Sequence, residues 1–262
     1  MKLYAAAGAL LLVPGTALCD LAEVRSRGTL RVLMVPVSPS DEFFASPGGT
    51  LPGLDREVLD GFCALQHLKI EAVPSKGWDA LVPDLQARRG DVIAGRFTVT
   101  EARRKAIEFT SEVFPTRDVV LTRKPHRPVT TLEEFRKEKV GTVKGSSMQE
   151  AVVQAGVPAS NIDDSIAAGG LPAALKDGRV GAVVLGIESA IAARRDDREI
   201  ELGLLLGRPG SLAYGVRRGD GELLKALDAY IDNLRHTSTW SRLVVKYFGD
   251  QAPDVLRKAR GD

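Results

Sequence analysis

Thr98, Thr100 and Arg103 stand close together at the end of a short apolar run, Asp91-Val-Ile-Ala-Gly95. The run reads as a buried strand, and Thr100 has the type and position of an N-cap for a short helix that carries Arg103. Hydroxyls, the N–H groups of a helix start and a guanidinium then meet at one strand end. A helix start favours anions and an arginine can hold both oxygens of a carboxylate, so the chemistry expected is carboxylate binding. The alternative for the same residues is a solvated threonine and a surface arginine. A second turn, Gly141-Thr-Val-Lys-Gly-Ser-Ser147, leads from a strand into a helix that Ser147 and Glu150 are placed to cap reciprocally. It lacks the lysine directly before a hydroxyl residue that a phosphate loop needs. Its N–H groups are read as holders of a carboxylate or another acceptor, or as a plain capped helix start.

Common enzyme signatures fail: there is no Gly-x-Ser-x-Gly, no His-Glu-x-x-His and no paired Cys-x-x-Cys. His67, His126 and His236 are isolated, so neither a metal site nor a cofactor is expected.

The elements that position these residues follow from periodicity. Leu30–Val37 reads as a strand, Leu54–Leu68 as a helix with Leu54, Val58, Phe62 and Leu65 on one face, and Ile70–Val73 as a second strand. Trp78–Arg89 reads as a helix with Leu81, Val82 and Leu85 inward, ended by Gly90, and Asp91–Gly95 supplies the third strand. Strands alternating with helices predict a parallel sheet that presents ligand groups at its C-terminal ends. After Phe114-Pro115 the pattern restarts. A capping box at Thr131–Glu134, a strand over Lys139–Val143, a helix stopped by Gly156, a helix over Leu171–Asp177 and a strand over Val180–Leu185 predict a second α/β unit. An extended stretch, Ser211–Val216, then leads into helices over about Glu222–Arg235 and Thr239–Phe248.

The N-terminus pairs Lys2 with an apolar run from Leu3 to Val13, broken by Pro14-Gly15 and closed by Ala17-Leu-Cys19. This is the pattern of a cleavable signal peptide over 1–19, with the mature chain starting at about Asp20. Lipidation of Cys19 is the weaker alternative, because Leu18 replaces the small residue that should precede it. Export to the periplasm and two lobes in the remaining chain are expected. Cys63, on the apolar face of its helix, is read as a buried inert thiol. The net charge of +2 and the doublets Arg88-Arg89, Arg194-Arg195 and Arg217-Arg218, interleaved with acids and read as solvated faces, exclude a nucleic-acid stripe.

Over nearly the whole mature chain the order of motifs resembles the family 3 extracellular solute-binding proteins, the periplasmic polar amino-acid receptors of ABC importers. The matching runs are Gly28-Thr-Leu-Arg-Val32, Gly53-Leu-Asp55 and Trp78-Asp-Ala-Leu-Val-Pro-Asp-Leu85, then Gly90-Asp-Val, Thr98-Val-Thr-Glu-Ala-Arg103 and Phe109-Thr110. They continue with Val140-Gly141, Lys144-Gly-Ser-Ser147, Ala174-Leu-Lys-Asp-Gly-Arg-Val180, Tyr214-Gly-Val216 and Trp240 to Gly249.

The resemblance implies a two-lobed periplasmic-binding-protein-like α/β fold of type II, each lobe a mostly parallel sheet flanked by helices, with two hinge crossings. Residues 20–113 and 213–262 would form one lobe and 117–210 the other. It also implies roles: Phe43 or Phe44 as an aromatic wall over the ligand, Trp78 as a second wall, and Thr98 with Arg103 as the carboxylate clamp. Gly145, Ser146 and Ser147 would assist from the other lobe. Two departures stand out. The family's ammonium-pairing Asp is replaced by Gly186, and Arg96 stands beside the clamp where a small residue is usual. Glu188 is the substitute cation partner or a solvated helix-start glutamate. The function implied is a monomeric, non-enzymatic receptor delivering a small carboxylate-bearing solute to an inner-membrane ABC permease. The rivals are an enzyme on the same scaffold, of the cyclohexadienyl dehydratase type with Glu188 as general acid, and a sensory or accessory binding module.

Overall fold

The computed structural model describes residues 21–37, 43–44 and 51–260, with the side chains of 251–255 excepted. The expected signal peptide and Cys19 lie outside the described residues.

The first unit opens with α1 (Leu21–Arg27), β1 (Thr29–Met34), α2 (Leu54–Leu65), β2 (Lys69–Pro74), α3 (Leu81–Gln86), β3 (Val92–Ile93), α4 (Glu101–Ala106) and β4 (Glu108–Phe109). Alternate residues of the β1 segment face opposite layers: Leu30, Val32 and Met34 join Leu54, Val58, Leu59 and Phe62 of α2, whereas Leu33 and Val35 join Leu81 and Leu85 of α3. A strand buried on both faces in this way belongs in a helix-covered parallel sheet. The second unit follows as β5 (Phe114–Arg123), α5 (Leu132–Phe135), β6 (Val140–Gly141), α6 (Ser147–Gln154), β7 (Ile162–Asp163), α7 (Leu171–Lys176), β8 (Ala182–Gly186), α8 (Ile187–Asp196) and β9 (Ile200–Leu212). The chain then returns as β10 (Gly215–Val216) and ends in α9 (Gly221–Arg235), α10 (Ser238–Phe248) and α11 (Ala252–Arg260).

The two sheets share one plan. The first has the order β2-β1-β3-β10-β4 and the second β7-β6-β8-β5-β9. In each, the fourth strand pairs antiparallel with both neighbours, so the other strands share one direction. Of the two reversed strands, β5 carries the chain into the second unit, and β10 follows the return along β9. β5 and β9 pair from Phe114 with Leu212 to Arg123 with Ile200, so the outgoing and returning crossings lie side by side. Phe114 anchors that junction, 5.7 Å from Phe43, 5.0 Å from Phe248 and 6.3 Å from Trp240 between ring centres.

Several expectations are corrected. Leu65 is 67% exposed, because α2 ends at that residue and its inward face is completed by Leu59 and Cys63. Cys63, by contrast, is buried as its place on the apolar face suggested, and burial pushes its thiol up to about 12. Arg217 is not solvated: it is buried, donates Nη1 to the Leu85 carbonyl at 3.0 Å and pairs with Asp220 at 2.8 Å. Trp78 precedes α3 instead of lying within it. The tail past Gly249, assigned by the resemblance to the first lobe, packs as α11 against β5, α8 and β9, with Ala259 fully buried.

Candidate functional site

The site is built where β3 ends. Asp55, in the first turn of α2, accepts the N–H groups of Gly95 at 2.9 Å and Arg96 at 3.1 Å, and the Tyr214 hydroxyl donates to its other oxygen at 3.2 Å. These bonds hold Gly95 at φ +85° and Arg96 at φ +57°. A left-handed arginine costs about 1 kcal/mol or more in backbone strain, which the buried Asp55 bonds offset. The turn sends the Arg96 side chain across to the second unit, where Nη1 donates to Ser189 Oγ of α8 at 2.7 Å.

Phe97, buried at the next position, forms the floor under Arg103. The Arg103 guanidinium lies 4.3 Å from the ring centre and donates Nη1 to the Thr98 carbonyl at 2.8 Å. Burial lowers its pKa to about 10, and the charge of Glu150 opposes that shift, so it remains a cation at neutral pH. A desolvated guanidinium stacked on an aromatic face is held ready to grip a planar anion. Thr100 caps α4 as its sequence suggests, its hydroxyl accepting the Arg103 N–H at 3.3 Å.

The facing turn differs from expectation. Ser146, not Ser147, is the N-cap of α6, accepting the Gln149 N–H at 3.2 Å. The Gly145 N–H donates to Gln149 Oε1 at 2.8 Å and the Ser146 N–H to the Val143 carbonyl at 3.1 Å, so both groups are engaged within the turn. Ser147 reaches across instead and donates to the Thr98 hydroxyl at 3.0 Å. Gly145 has φ +72°, and a Cβ there would lie 2.7 Å from Asp79 Cβ and 2.8 Å from its backbone nitrogen. That glycine permits the two units to touch.

Between the units lies a cavity of about 560 Å³, walled by Val37, Trp78, Arg96 and Arg103 on one side and by Ser146, Ser147, Met148, Leu171 and Ser189 on the other. It continues between α7 and α8 past Ala173, Ala192 and Ala193 to Arg123, Lys176, Asp196 and Asp197. At that far end Arg123 donates Nε to Asp197 at 2.8 Å.

The residues expected at the site therefore divide. Trp78, Arg96, Arg103, Ser146 and Ser147 line the cavity, and Thr98 stands behind Arg103 and Ser147. Phe43 and Phe44 do not line it. Both are buried in the hydrophobic core, where their area is worth more than at an edge, and Phe43 packs edge-on to Phe114 at the junction. Gly145 and Gly186 do not line it either.

Glu188 is neither a solvated residue nor a wall of the cavity. It is 1% exposed, accepts the Thr116 hydroxyl on Oε2 at 2.8 Å, and Oε1 has no hydrogen-bond partner among the described residues. Burial raises its pKa to about 7. Its carboxyl fills the place of a Gly186 side chain, since a Cβ there would lie 2.1 Å from Glu188 Oε1. Asp118, paired with Gly186 across the sheet, is raised by burial to about 6. Sequence reasoning did not single out Phe97, Ser189 or the positioning role of Asp55. The run Gly53-Leu-Asp55 was visible as a motif, but its bond to the turn at residues 95 and 96 is a long-range contact.

Comparison with known proteins agrees with this architecture. The sequence pattern of the bacterial extracellular solute-binding proteins, family 3, matches residues 30–250. The chain is 27% identical over 239 residues to the L-cystine-binding protein TcyJ of Escherichia coli, covering 87% of this chain and 86% of that protein. It is 25% identical over 222 residues to the lysine/arginine/ornithine-binding periplasmic protein of the same species, covering 76% and 80%. Among solved structures, an ancestral arginine-binding protein bound to arginine matches with a TM-score of 0.73 at 27% identity, over 85% of this chain and 99% of that one. An ancestral amino acid-binding protein described as a precursor of cyclohexadienyl dehydratase shares the fold, with a TM-score of 0.74 at 22% identity over 87% and 99%. With two sheets of one plan, paired crossings and a cavity between them, this chain belongs to the bacterial extracellular solute-binding proteins, family 3.

Proposed function

We propose that this protein is the periplasmic receptor of an ABC importer and that it carries a small carboxylate-bearing solute, an amino acid or a related organic acid, to a permease. The lobes are residues 20–113 with 213–250, and 117–210, and they close over the solute as hinged bodies. The observation that carries the reading is Arg103, a cation on the cavity wall that is stacked on Phe97 and tied to the Thr98 carbonyl. A carboxylate docked there gains a paired, water-excluded contact, and opening at the permease releases it. Relatives named for binding cystine and basic amino acids support the same class of solute. The residues before Asp20 act as an export signal, and the receptor works as a monomer.

The protein acts as a carrier and not as an enzyme. A general-acid role would require the Glu188 carboxyl on the cavity wall, whereas it is turned to Thr116.

A thermal-shift panel of amino acids, amines, mono- and dicarboxylates and sugars tests the reading. At a hundredfold excess over Kd a bound solute stabilises the folded state by about 2.7 kcal/mol. Stabilisation by carboxylates is expected. A panel in which only sugars or amines raise the melting temperature contradicts it.

A further inference from the structure

We infer that the solute is an elongated carboxylate, its acid group held by Arg103 where the two units meet and its apolar chain laid in the passage between α7 and α8. This rests on the carboxylate-receptor reading above and narrows it to one class of solute.

The length of the cavity and the chemistry of its walls carry the inference. At about 560 Å³ it falls within the roughly 300–1,000 Å³ that take a drug-sized ligand, more room than the acid clamp alone requires. The extra room lies within the second unit. One face of α8 lines it from Ser189, which Arg96 contacts from the first unit, through Ala192 and Ala193 to Asp196. At a rise of about 1.5 Å per residue, that face is about 10 Å long. On the other side α7 lines it from Leu171 through Ala173 to Lys176.

Charged lining residues stand at the two ends of this passage. Arg96 and Arg103 lie where the units meet, and Arg123, Lys176, Asp196 and Asp197 lie at the other end. Between them the walls are Leu171, Ala173, Leu185, Ala192 and Ala193. Arg96 is engaged with Ser189 and acts on the charge of Glu188, so the acid group of the solute is assigned to Arg103. Beyond that group, an apolar chain displaces water from the passage and buries its surface against apolar walls. Each methylene fully buried in this way tightens binding about fourfold. A chain of eight carbons, with bonds about 1.5 Å long in a zigzag, spans about 9 Å and so matches the length of the α8 face.

Titration calorimetry at pH 7.5 tests this with two homologous series. Butyrate, hexanoate and octanoate form one, and 2-aminobutyrate, norleucine and 2-aminooctanoate the other, so the answer does not depend on whether the solute carries an amine. In a series that binds, affinity is expected to climb about threefold per methylene, and by about tenfold or more from four carbons to eight. Ala173→Phe and Ala193→Phe each place a ring in the passage, at positions that are exposed and half-buried in turn. In each, the advantage of eight carbons over four is expected to shrink to within about threefold. The wild-type series give their answer even if neither variant folds. Affinity that is flat or declines beyond four carbons overturns the inference, as does an absence of binding in both series or a gain that persists in both folded variants. If any acid loses its affinity in Arg103→Ala while chain length brings no gain, the clamp stands and only the chain assignment falls. If Arg103→Ala leaves every affinity unchanged, the receptor reading built on Arg103 falls with it.

Discussion

Glu188 shows how one residue changes its meaning once its surroundings are known. At a helix start two positions after Gly186 it reads as solvated or as a ligand partner, but its carboxyl is enclosed by Thr116 and the Gly186 backbone. Its pKa is raised from 4.5 to about 7, chiefly by burial, so the folded state holds a proton that the unfolded chain releases. The stability this group contributes is present below about pH 4.5 and is lost as pH rises through about 7. Asp118, raised to about 6, acts in the same direction. Glu188→Gln keeps an acceptor for Thr116 and removes the titration. Relative to wild type it should gain up to about 3 kcal/mol between pH 5 and pH 8. Melting curves at those two pH values check this, and an unchanged difference would show that the carboxyl does not titrate in that window. The proposed clamp of Thr98 and Arg103 could be picked out as a local pattern, and the Thr100 cap of α4 was legible in the same six residues. Arg96 was visible as a departure, yet its direction depends on a left-handed φ and on Asp55, forty-one positions away. No local pattern carries that information.

Among the elements, the alternation of strands and helices was readable because β1, β2 and β3 are apolar runs between periodic helices. β5 and β9 escaped assignment for physical reasons. Pro115, Thr116, Arg117 and Asp118 interrupt the apolar pattern of the first, and Gly203, Gly207 and Gly210 that of the second. Their pairing with each other, through register shifts, supplies what neither sequence declares. The turn before α6 shows the converse. Its capping residues suggested an anion cradle, but its glycine matters for the space it leaves. Gly145→Ala would add a Cβ within 2.7 Å of Asp79 and place alanine at φ +72°, a conflict that exists in full only where the units meet. Solute affinity should fall about tenfold or more, whereas the melting temperature of the unliganded protein should drop only by the backbone cost of about 1 kcal/mol. Calorimetry with the tightest solute, alongside melting of the free variant, separates the two. Equal affinities would mean that the contact at Asp79 is not part of closure.

At the scale of the whole molecule, the junction unites the two units mechanically. β5 and β9 run together through it, the aromatic rings of Phe43, Phe114 and Phe248 pack around it, and α11 leaves the first unit to lie on β5 and α8. Among the described residues no helix is long and apolar enough to cross a membrane. In the proposed receptor the specificity of the cleft rests first on charge, with Arg103, which lines it, at the centre. The decisive measurement is titration calorimetry of the tightest solute against wild type, Arg103→Ala and Arg103→Lys, with melting curves to verify each fold. Loss of the guanidinium should cost about 2 to 5 kcal/mol of binding, and lysine should restore little of it because a point charge does not reproduce the fork. An Arg103→Ala variant that is folded and binds with the wild-type Kd would contradict the account.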